Sequence, residues 1–312
     1  MYHTLGKSTE ENESAHEEAV AFFKKSGKIS AEALEFGKGL IKKGAKPIDI
    51  LDSVEDFIAK KGAFCAFPPQ MSLNEVAAHS CPDDGDAVVL EGQVVKLDVG
   101  CHIEGYVTDN AVTVDLSGRW SDLLKANKEA LDAALSLVVP GTPIGTIGKE
   151  VEKIITSYGF TPVRNLSGHG LGKFKVHTRP SITNFDTGEE TKLTQGMVLA
   201  IEPFASTGAG LVGERGEAGV FMLAQKKPVR DLITRSALQL IGSYEGLPFA
   251  RKWLTRALGK AKTSFALRQL DQLDMIHAYP PLVDQNNGIV SQAEKTILVK
   301  KGGCEILTKA EV

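Results

Sequence analysis

Along the first sixty or so positions the apolar residues follow a helical period. Ala19, Phe22, Phe23, Ile29, Ala33, Leu34, Leu40 and Ile41 share one side of the stretch Ser14 to Lys43, with Gly27 interrupting it and Gly44 closing it. That pattern predicts two helices or one bent helix. Pro47 then opens another, whose face is Ile50, Leu51, Val54, Phe57 and Ile58 and which stops at Gly62. The following segment, AFCAFPPQMSLNEVAAH, reads as a loop that delivers His79. The period then shortens. Val94, Val95, Leu97 and Val99, followed by Tyr106, Val107, Val112 and Val114, predict a hairpin between Gly92 and the residues beyond Asp109, with its turn in His102–Gly105.

The same order of events returns further on. Asp122 to Val139 is helical in pattern, and Gly141-Thr142-Pro143 restarts a helix whose face is Ile144, Ile147, Val151, Ile154 and Ile155 and which Gly159 ends. KPIDILDSVEDFIAKKGAF (46–64) runs parallel to TPIGTIGKEVEKIITSYGF (142–160) with one residue of shift, and LEGQVVKLD (90–98) to LTQGMVLAIE (193–202). In both strands a glycine precedes an acid by the same interval, Gly92 before Asp98 and Gly196 before Glu202. An internal duplication of helix, helix, loop and strand predicts two halves related by an approximate two-fold, with their acids converging. Two unrelated amphipathic helix–strand units are the alternative.

Leu166-Ser167-Gly168-His169-Gly170 sets a histidine between glycines, in what reads as a loop, and His177 follows. From Asp231 to Met275 the texture is helical, broken at Gly246-Leu247-Pro248, and reads as a helical insertion over approximately residues 230–280 of one domain spanning 1–312. Gly288 to Leu307 reads as two short strands in which Glu294 interrupts an apolar run.

The hairpin carries the chemistry. With the turn centred between Ile103 and Glu104, Asp98 faces Asp109, and directly opposed side chains lie roughly 4.5 to 5.5 Å apart at Cβ. Two carboxylates so placed share a proton or bind a cation. Acid proteases frame the aspartate as Asp-Thr/Ser-Gly, whereas Asp98-Val99-Gly100 and Asp109-Asn110-Ala111 lack that frame. The further acids and His169 favour the cation. A strand-end aspartate opposed by chance is the plainer alternative.

Bulk properties remove several classes. A net charge of -3 and a pI near 6.2 give no reason to expect DNA or an anionic membrane as partner, though a local basic patch stays compatible. Cys65, Cys81, Cys101 and Cys304 have no CxxC spacing and read as free structural thiols of a reducing cytosol. The amino-terminal MYHTLGKSTEENES lacks the apolar core of a signal peptide, and no long apolar run follows. A soluble, cytoplasmic protein is the expectation.

Asp98, Asp109, His169, Glu202 and Glu294, in the strings KLDVG, SGHG, AIEPF and SQAEKTILV, resemble the five metal ligands of the pita-bread metallopeptidases, and among these the methionine aminopeptidases. The helical insertion with GLPFARKWL resembles the type II branch, and the short amino terminus its archaeal members. The resemblance implies an α+β pita-bread fold: duplicated helix-helix-strand halves around a central antiparallel sheet. It implies a monomer that removes the amino-terminal methionine from nascent polypeptides with a small second residue, with the ribosome as a further partner. The oxygen-rich ligand set suits two divalent ions of Co, Mn, Fe or Zn.

By the same resemblance Asp98 would bind one ion, His169 the other, and Asp109 and Glu294 would bridge. Glu202 would be both ligand and proton shuttle. His177 would stabilise the tetrahedral oxyanion and His79 would bond the scissile amide or approach the amino-terminal residue, with Phe67 and Val176 beside them in the methionine pocket; two core histidines are the plainer alternative. The chain departs from the type II pattern at Thr178-Arg179-Pro180, where Ala-Gly is more frequent after the histidine, at Asn110, where Thr or Ser is frequent, and at Lys295, where His is common. Two other readings share the fold. A proline-directed (Xaa-Pro) metallopeptidase would carry a large extra amino-terminal domain, and only ~90 residues precede the first ligand strand here. A non-catalytic pita-bread protein binding RNA or proteins would have lost ligands and gained a basic tail, whereas this chain ends Lys309-Ala310-Glu311-Val312.

Overall fold

The computed structural model describes residues 9–310, so part of the polar amino-terminal stretch and the last two residues lie outside the described residues. The first apolar stretch forms a single helix, α1 (Thr9–Leu40), which ends before Ile41. Gly27 does not break it: a Cβ there would lie 2.5 Å from the Leu307 carbonyl oxygen, so the glycine lets the chain's last strand region press against the helix. Gly37 likewise makes room for Leu97 and Val54. Helix α2 (Pro47–Lys60) has proline in its first turn and buries Ile50, Leu51, Val54 and Ile58.

The expected loop before His79 is partly strand: β1 (Phe64–Cys65), β2 (Gln70–Leu73) and β3 (Val76–Ala78). β1 and β2 both pair antiparallel with β4 (Val94–Ile103), whose open edge supplies the partners that a local reading cannot see. β5 (Tyr106–Asp115) completes the hairpin. The second half repeats the plan with α3 (Ser121–Ser136) and α4 (Ile144–Ser157), then β6 (Thr161–Pro162), β7 (Ser167–Gly172), β8 (Lys175–Thr183) and β9 (Val198–Ile201). β10 (Phe204–Ser206), β11 (Val212–Glu214) and β12 (Val220–Leu223) lead to the insertion: α5 (Leu232–Gly242), β13 (Phe249–Ala250), α6 (Arg251–Leu258), α7 (Lys260–Gln272) and β14 (Ile276–Tyr279). β15 (Leu282–Asp284), β16 (Val290–Gln292), β17 (Glu294–Lys300) and β18 (Gly303–Ile306) close the chain, so the Gly288–Leu307 region holds three strands where two were expected.

The large sheet runs β1-β4-β5-β17-β9-β7-β8, with β2 also on β4 and β18 on β17. The expected halves meet where β5 pairs β17. Each half packs its helix pair against its own strands. Leu34, Leu51, Val54 and Ile58 meet Val95, Leu97 and Val99 in the first; Leu123, Ile147, Val151 and Ile155 meet Leu199, Ile201, Ile297 and Val299 in the second. Each fully buried aliphatic side chain contributes roughly 1.5 to 3 kcal/mol, so these two cores hold the shared sheet between them. Among the described residues no helix is long and apolar enough to cross a membrane.

The insertion has its own core around Phe249, Leu254, Leu270 and Met275 and is pinned to α2 by charge. Lys252 is fully buried, and its Nζ lies 2.6 Å from Asp52 Oδ1 and 2.8 Å from Glu55 Oε1. Arg256 bonds Asp52 and Asp84, and Trp253 Nε1 donates to Glu55 Oε2 at 2.9 Å. Removing the cation strands the acids it holds, so Lys252→Met should lower the unfolding free energy by about 3 kcal/mol, the cost of breaking a buried pair. Urea denaturation checks this; a loss below about 0.5 kcal/mol would mean the insertion is held by its apolar contacts instead.

Candidate metal centre

The hairpin differs from expectation by one step of register. Glu104 and Gly105 both take positive φ, at 50° and 84°, and close a two-residue turn in which Ile103 pairs Tyr106. Asp98 therefore pairs Ala111, and Asp109 pairs Gly100. The four-residue tip of the sequence reading is replaced because Glu104 itself adopts the left-handed conformation. The two aspartates are diagonal rather than opposed, yet still share a face, since positions two apart along a strand point the same way.

Register then carries the remaining ligands to that face. Glu294 of β17 pairs Ala111, which puts it in one row with Asp98; Lys295 pairs Ile201, so Glu202 extends the same row from the end of β9. In the next row Thr296 and His169 both pair Ala200, and Thr296 Oγ1 donates to the Asp109 carbonyl oxygen at 2.7 Å. Five strands, β4, β5, β17, β9 and β7, thus converge two rows of side chains. The structure gathers Asp109, His169 and Glu294 in one group and Asp98, Glu202 and Glu294 in another, the ligand atoms of each lying within 4.8 Å of one another. His169 Nε2 is 3.8 Å from Asp109 Oδ2.

His169 lies in strand β7, not in the expected loop. Its glycines are there for packing: a Cβ on Gly168 would meet the Ala200 carbonyl oxygen at 2.3 Å, and one on Gly170 the Arg179 carbonyl oxygen at 2.4 Å. Only glycine lets β7 fit so tightly between β9 and β8. The His169 Nδ1 edge meets the Gly170 carbonyl oxygen at 3.2 Å, which places the proton there and leaves Nε2 as a lone pair toward Asp109.

The donor set fits a cation. Asp98 Oδ1, Asp109 Oδ1 and both Glu294 carboxylate oxygens are buried without a hydrogen-bond partner. Asp284, buried elsewhere, shows the contrast. It accepts from Ser206 Oγ at 2.8 Å and from the backbone of Ala209, Gly210, Asn286 and Gly288, donors that outweigh burial and hold its carboxyl below the usual range. With no backbone donors and a single side-chain amide, that of Gln292, bonding it, burial pushes Asp98 up to about 6. Burial and the neighbouring carboxylates push Asp109 and Glu294 well above the carboxylate range, and burial with Asp98 does the same to Glu202. Acids that would otherwise hold protons, beside an imidazole that burial and then His177 lower to about 3, suit a divalent ion.

A cavity of about 490 Å³ opens onto this face, lined among others by Phe67, His79, Val176, His177, Phe204 and Tyr279. The structure therefore brings Phe67, Val176 and both outer histidines beside the acids. His79 follows β3 at φ 65°, its N–H bound to Gln70 Oε1 at 2.7 Å, and burial lowers its imidazole to about 4. The His177 ring stands edge-on to that of His169 with centroids 4.3 Å apart. Two departures from the type II pattern point away from the cavity: Asn110 Nδ2 bonds Val99 O at 2.7 Å and Ser30 Oγ on α1 at 2.9 Å, and Lys295 Nζ bonds Thr308 O. Thr178 and Arg179 line it. Sequence reasoning missed Gln292, whose Nε2 donates to Asp98 Oδ2 at 3.2 Å and Glu202 Oε1 at 2.8 Å. Its place two residues before Glu294 on a strand was the available signal.

Comparison with known proteins places these features in context. The sequence profile of metallopeptidase family M24 matches residues 21–226. A methionine aminopeptidase of Archaeoglobus fulgidus is 44% identical over 285 residues, covering 91% of this chain and 96% of that one. Among solved structures, a methionine aminopeptidase of Thermotoga maritima superposes with a TM-score of 0.69 at 25% identity over 94% of this chain and 97% of that one. A prolidase of Pyrococcus furiosus shares the fold, with a TM-score of 0.62 at 18% identity, but this chain covers only 65% of it.

Repulsion among the acids makes metal-free stability depend on pH with a definite sign. An unfolded aspartate ionises near about pH 4, whereas the folded metal-free Asp109 keeps its proton well above that. The folded state binds more protons over that interval, so this group's contribution to stability falls as pH rises through it. The Asp109→Asn variant has no proton to lose. In chelator its melting temperature should rise relative to the unmodified protein between about pH 4 and 7, and excess divalent metal should reverse the order. A difference that stays flat with pH would show that the cluster's charge does not govern stability.

Proposed function

The chain belongs to the methionine aminopeptidases of metallopeptidase family M24, and on that premise we propose that it removes the amino-terminal methionine from peptides and nascent polypeptides by metal-dependent hydrolysis of the first peptide bond. The observation that carries this reading is the meeting of four carboxylates and one imidazole, with buried oxygens lacking partners, at the base of an apolar-walled cavity. The family implies divalent metal; two ions, shared through Asp109 and Glu294 with Asp98, Glu202 and His169 as the remaining ligands, is our finer proposal. Asp98, Glu202 and Glu294 would hold one and His169 and Glu294 the other, with Asp109, grouped with His169 in the structure, as the second shared acid. When bound, such ions polarise the scissile carbonyl and acidify water.

The chain's own groups do the rest in this proposal. The Glu202 carboxylate, oriented through Oε1 by Gln292, takes the proton released by the attacking water and passes it to the leaving amine. His177 donates an N–H to the oxygen that becomes negative, and His79, held through its backbone by Gln70, bonds the scissile amide. Phe67 and Val176 enclose the methionine side chain. Because both histidine-bearing segments wall the space after the cleaved bond, a small second residue is the substrate we propose. One chain carries the complete ligand set, which supports a monomer spanning one catalytic domain with its insertion near 230–280. Free thiols at all four cysteines support the cytoplasm, with the ribosome, where nascent chains emerge, as a further partner.

The prolidase and binding-only alternatives are not favoured: relatives covering nearly the whole chain are methionine aminopeptidases. Comparing kcat/KM on Met-Ala and Met-Leu tripeptides, with Ala-Pro alongside, tests the reading. The expected result is a preference for Met-Ala of about a hundredfold, the scale set by a misplacement of about 1 Å. Equal rates would remove the size filter, and faster cleavage of Ala-Pro would reassign the enzyme. His177→Ala should lower kcat by about a hundredfold with KM little changed, as for loss of one oxyanion donor.

A further inference from the structure

Arg179 is the single Lys or Arg among the residues that line the catalytic cavity, where the other charged side chains are acids of the proposed metal site. It is exposed, and its guanidinium makes no hydrogen bond or ion pair with any other described residue. Arg164, Arg215, Arg251 and Arg256 have side-chain partners, and of the described arginines without one only Arg179 lines this cavity. The position is also fixed. The β7–β8 ladder passes from Gly170 opposite Thr178 to His169 opposite Ser181, so Arg179 and Pro180 are the extra residues of a bulge, and bulges re-aim side chains next to sites. The Arg179 carbonyl is clamped against Gly170, which anchors the base of the side chain two residues after His177.

Electrostatics then orders the substrate along the cavity. A peptide's terminal ammonium is drawn to the acids and repelled by Arg179, so the amino end lies over Asp98 and Glu202 and the chain leaves past the polar residues of β7 and β8, Ser167, Thr178, Arg179 and Ser181. On the reading that the second residue is small and enclosed, the third is the first whose side chain reaches this rim. We propose that Arg179 is a specificity-determining residue that selects peptides with an acidic side chain at the third position. A guanidinium takes a carboxylate through two parallel N–H bonds, a match that a lysine or glutamine side chain cannot supply. The type II pattern more often has a small residue here, so the preference belongs to this chain.

This inference rests on the aminopeptidase reading, and the two fail differently. The amidated peptides Met-Ala-Glu-Gly, Met-Ala-Gln-Gly and Met-Ala-Lys-Gly are compared on the metal-loaded protein, amidation removing the terminal carboxylate as a rival anion. The expected kcat/KM ratio of the Glu to the Lys peptide is about fivefold at low salt, the scale of an exposed ion pair, carried by KM and shrinking at high salt. Arg179→Gln should bring the ratio to about one and Arg179→Glu should invert it. The ratio within each protein is the readout, so a general loss of activity does not obscure it. Equal cleavage of all three peptides by the unmodified protein, or a preference that survives Arg179→Glu, overturns the inference while leaving the aminopeptidase reading intact. Cleavage of none of them overturns both.

Discussion

Four carboxylates forced onto one face of a closed-in sheet set the terms for the rest of this molecule. Asp98, Asp109, Glu202 and Glu294 come from four strands, and Asp98 Oδ1, Asp109 Oδ1 and both Glu294 oxygens are buried with no protein donor to compensate them. Without a cation the cheapest state is protonation: burial raises all four, and repulsion from neighbouring carboxylates adds to it at Asp109, Glu202 and Glu294. The sheet that holds them there must be rigid enough to resist the outward push of its own charges.

That rigidity comes from duplication. Each half supplies a hairpin-like pair of strands backed by two helices, and the halves meet at the β5–β17 pair on which Asp109 and Glu294 lie. The far side of those strands is dry and tightly fitted. Ser26 and Ser30 of α1 bond the carbonyls of Cys101 and Val99, and Asn110 reaches the same helix. Alternation along each strand therefore gives one face to the candidate metal ligands and the other to packing. Asn110 and Lys295, which depart from the type II pattern, fall on the packing side.

The insertion breaks the symmetry. It belongs to the second half alone, is tied back to α2 of the first through Lys252, and brings Pro248 and Tyr279 to the cavity wall beside His79. The candidate metal ligands lie in the symmetric core, whereas the insertion and the β7–β8 bulge add residues to the cavity wall.

What the chain determined locally could be read from it. Helical and strand periods located α2, α3, α4 and the hairpin, because each is written in side chains a few positions apart, and the paired Gly-x5-acid strings disclosed the duplication and its converging acids. Other features belong to neighbours brought together by the fold. Whether Glu104 joins Gly105 in the turn decides which residues face each other across the hairpin. The glycines around His169 read as a loop until β8 and β9 close on either side, and Gln292 bridges Asp98 and Glu202 only because β4, β9 and the β16–β17 segment are adjacent. Arg179 comes to line the cavity through a bulge that no local pattern marks. Local propensity depends on adjacent residues and survives in the sequence. Register across a sheet is settled by pairings between segments up to two hundred residues apart, whose energies are comparable until tertiary packing selects one.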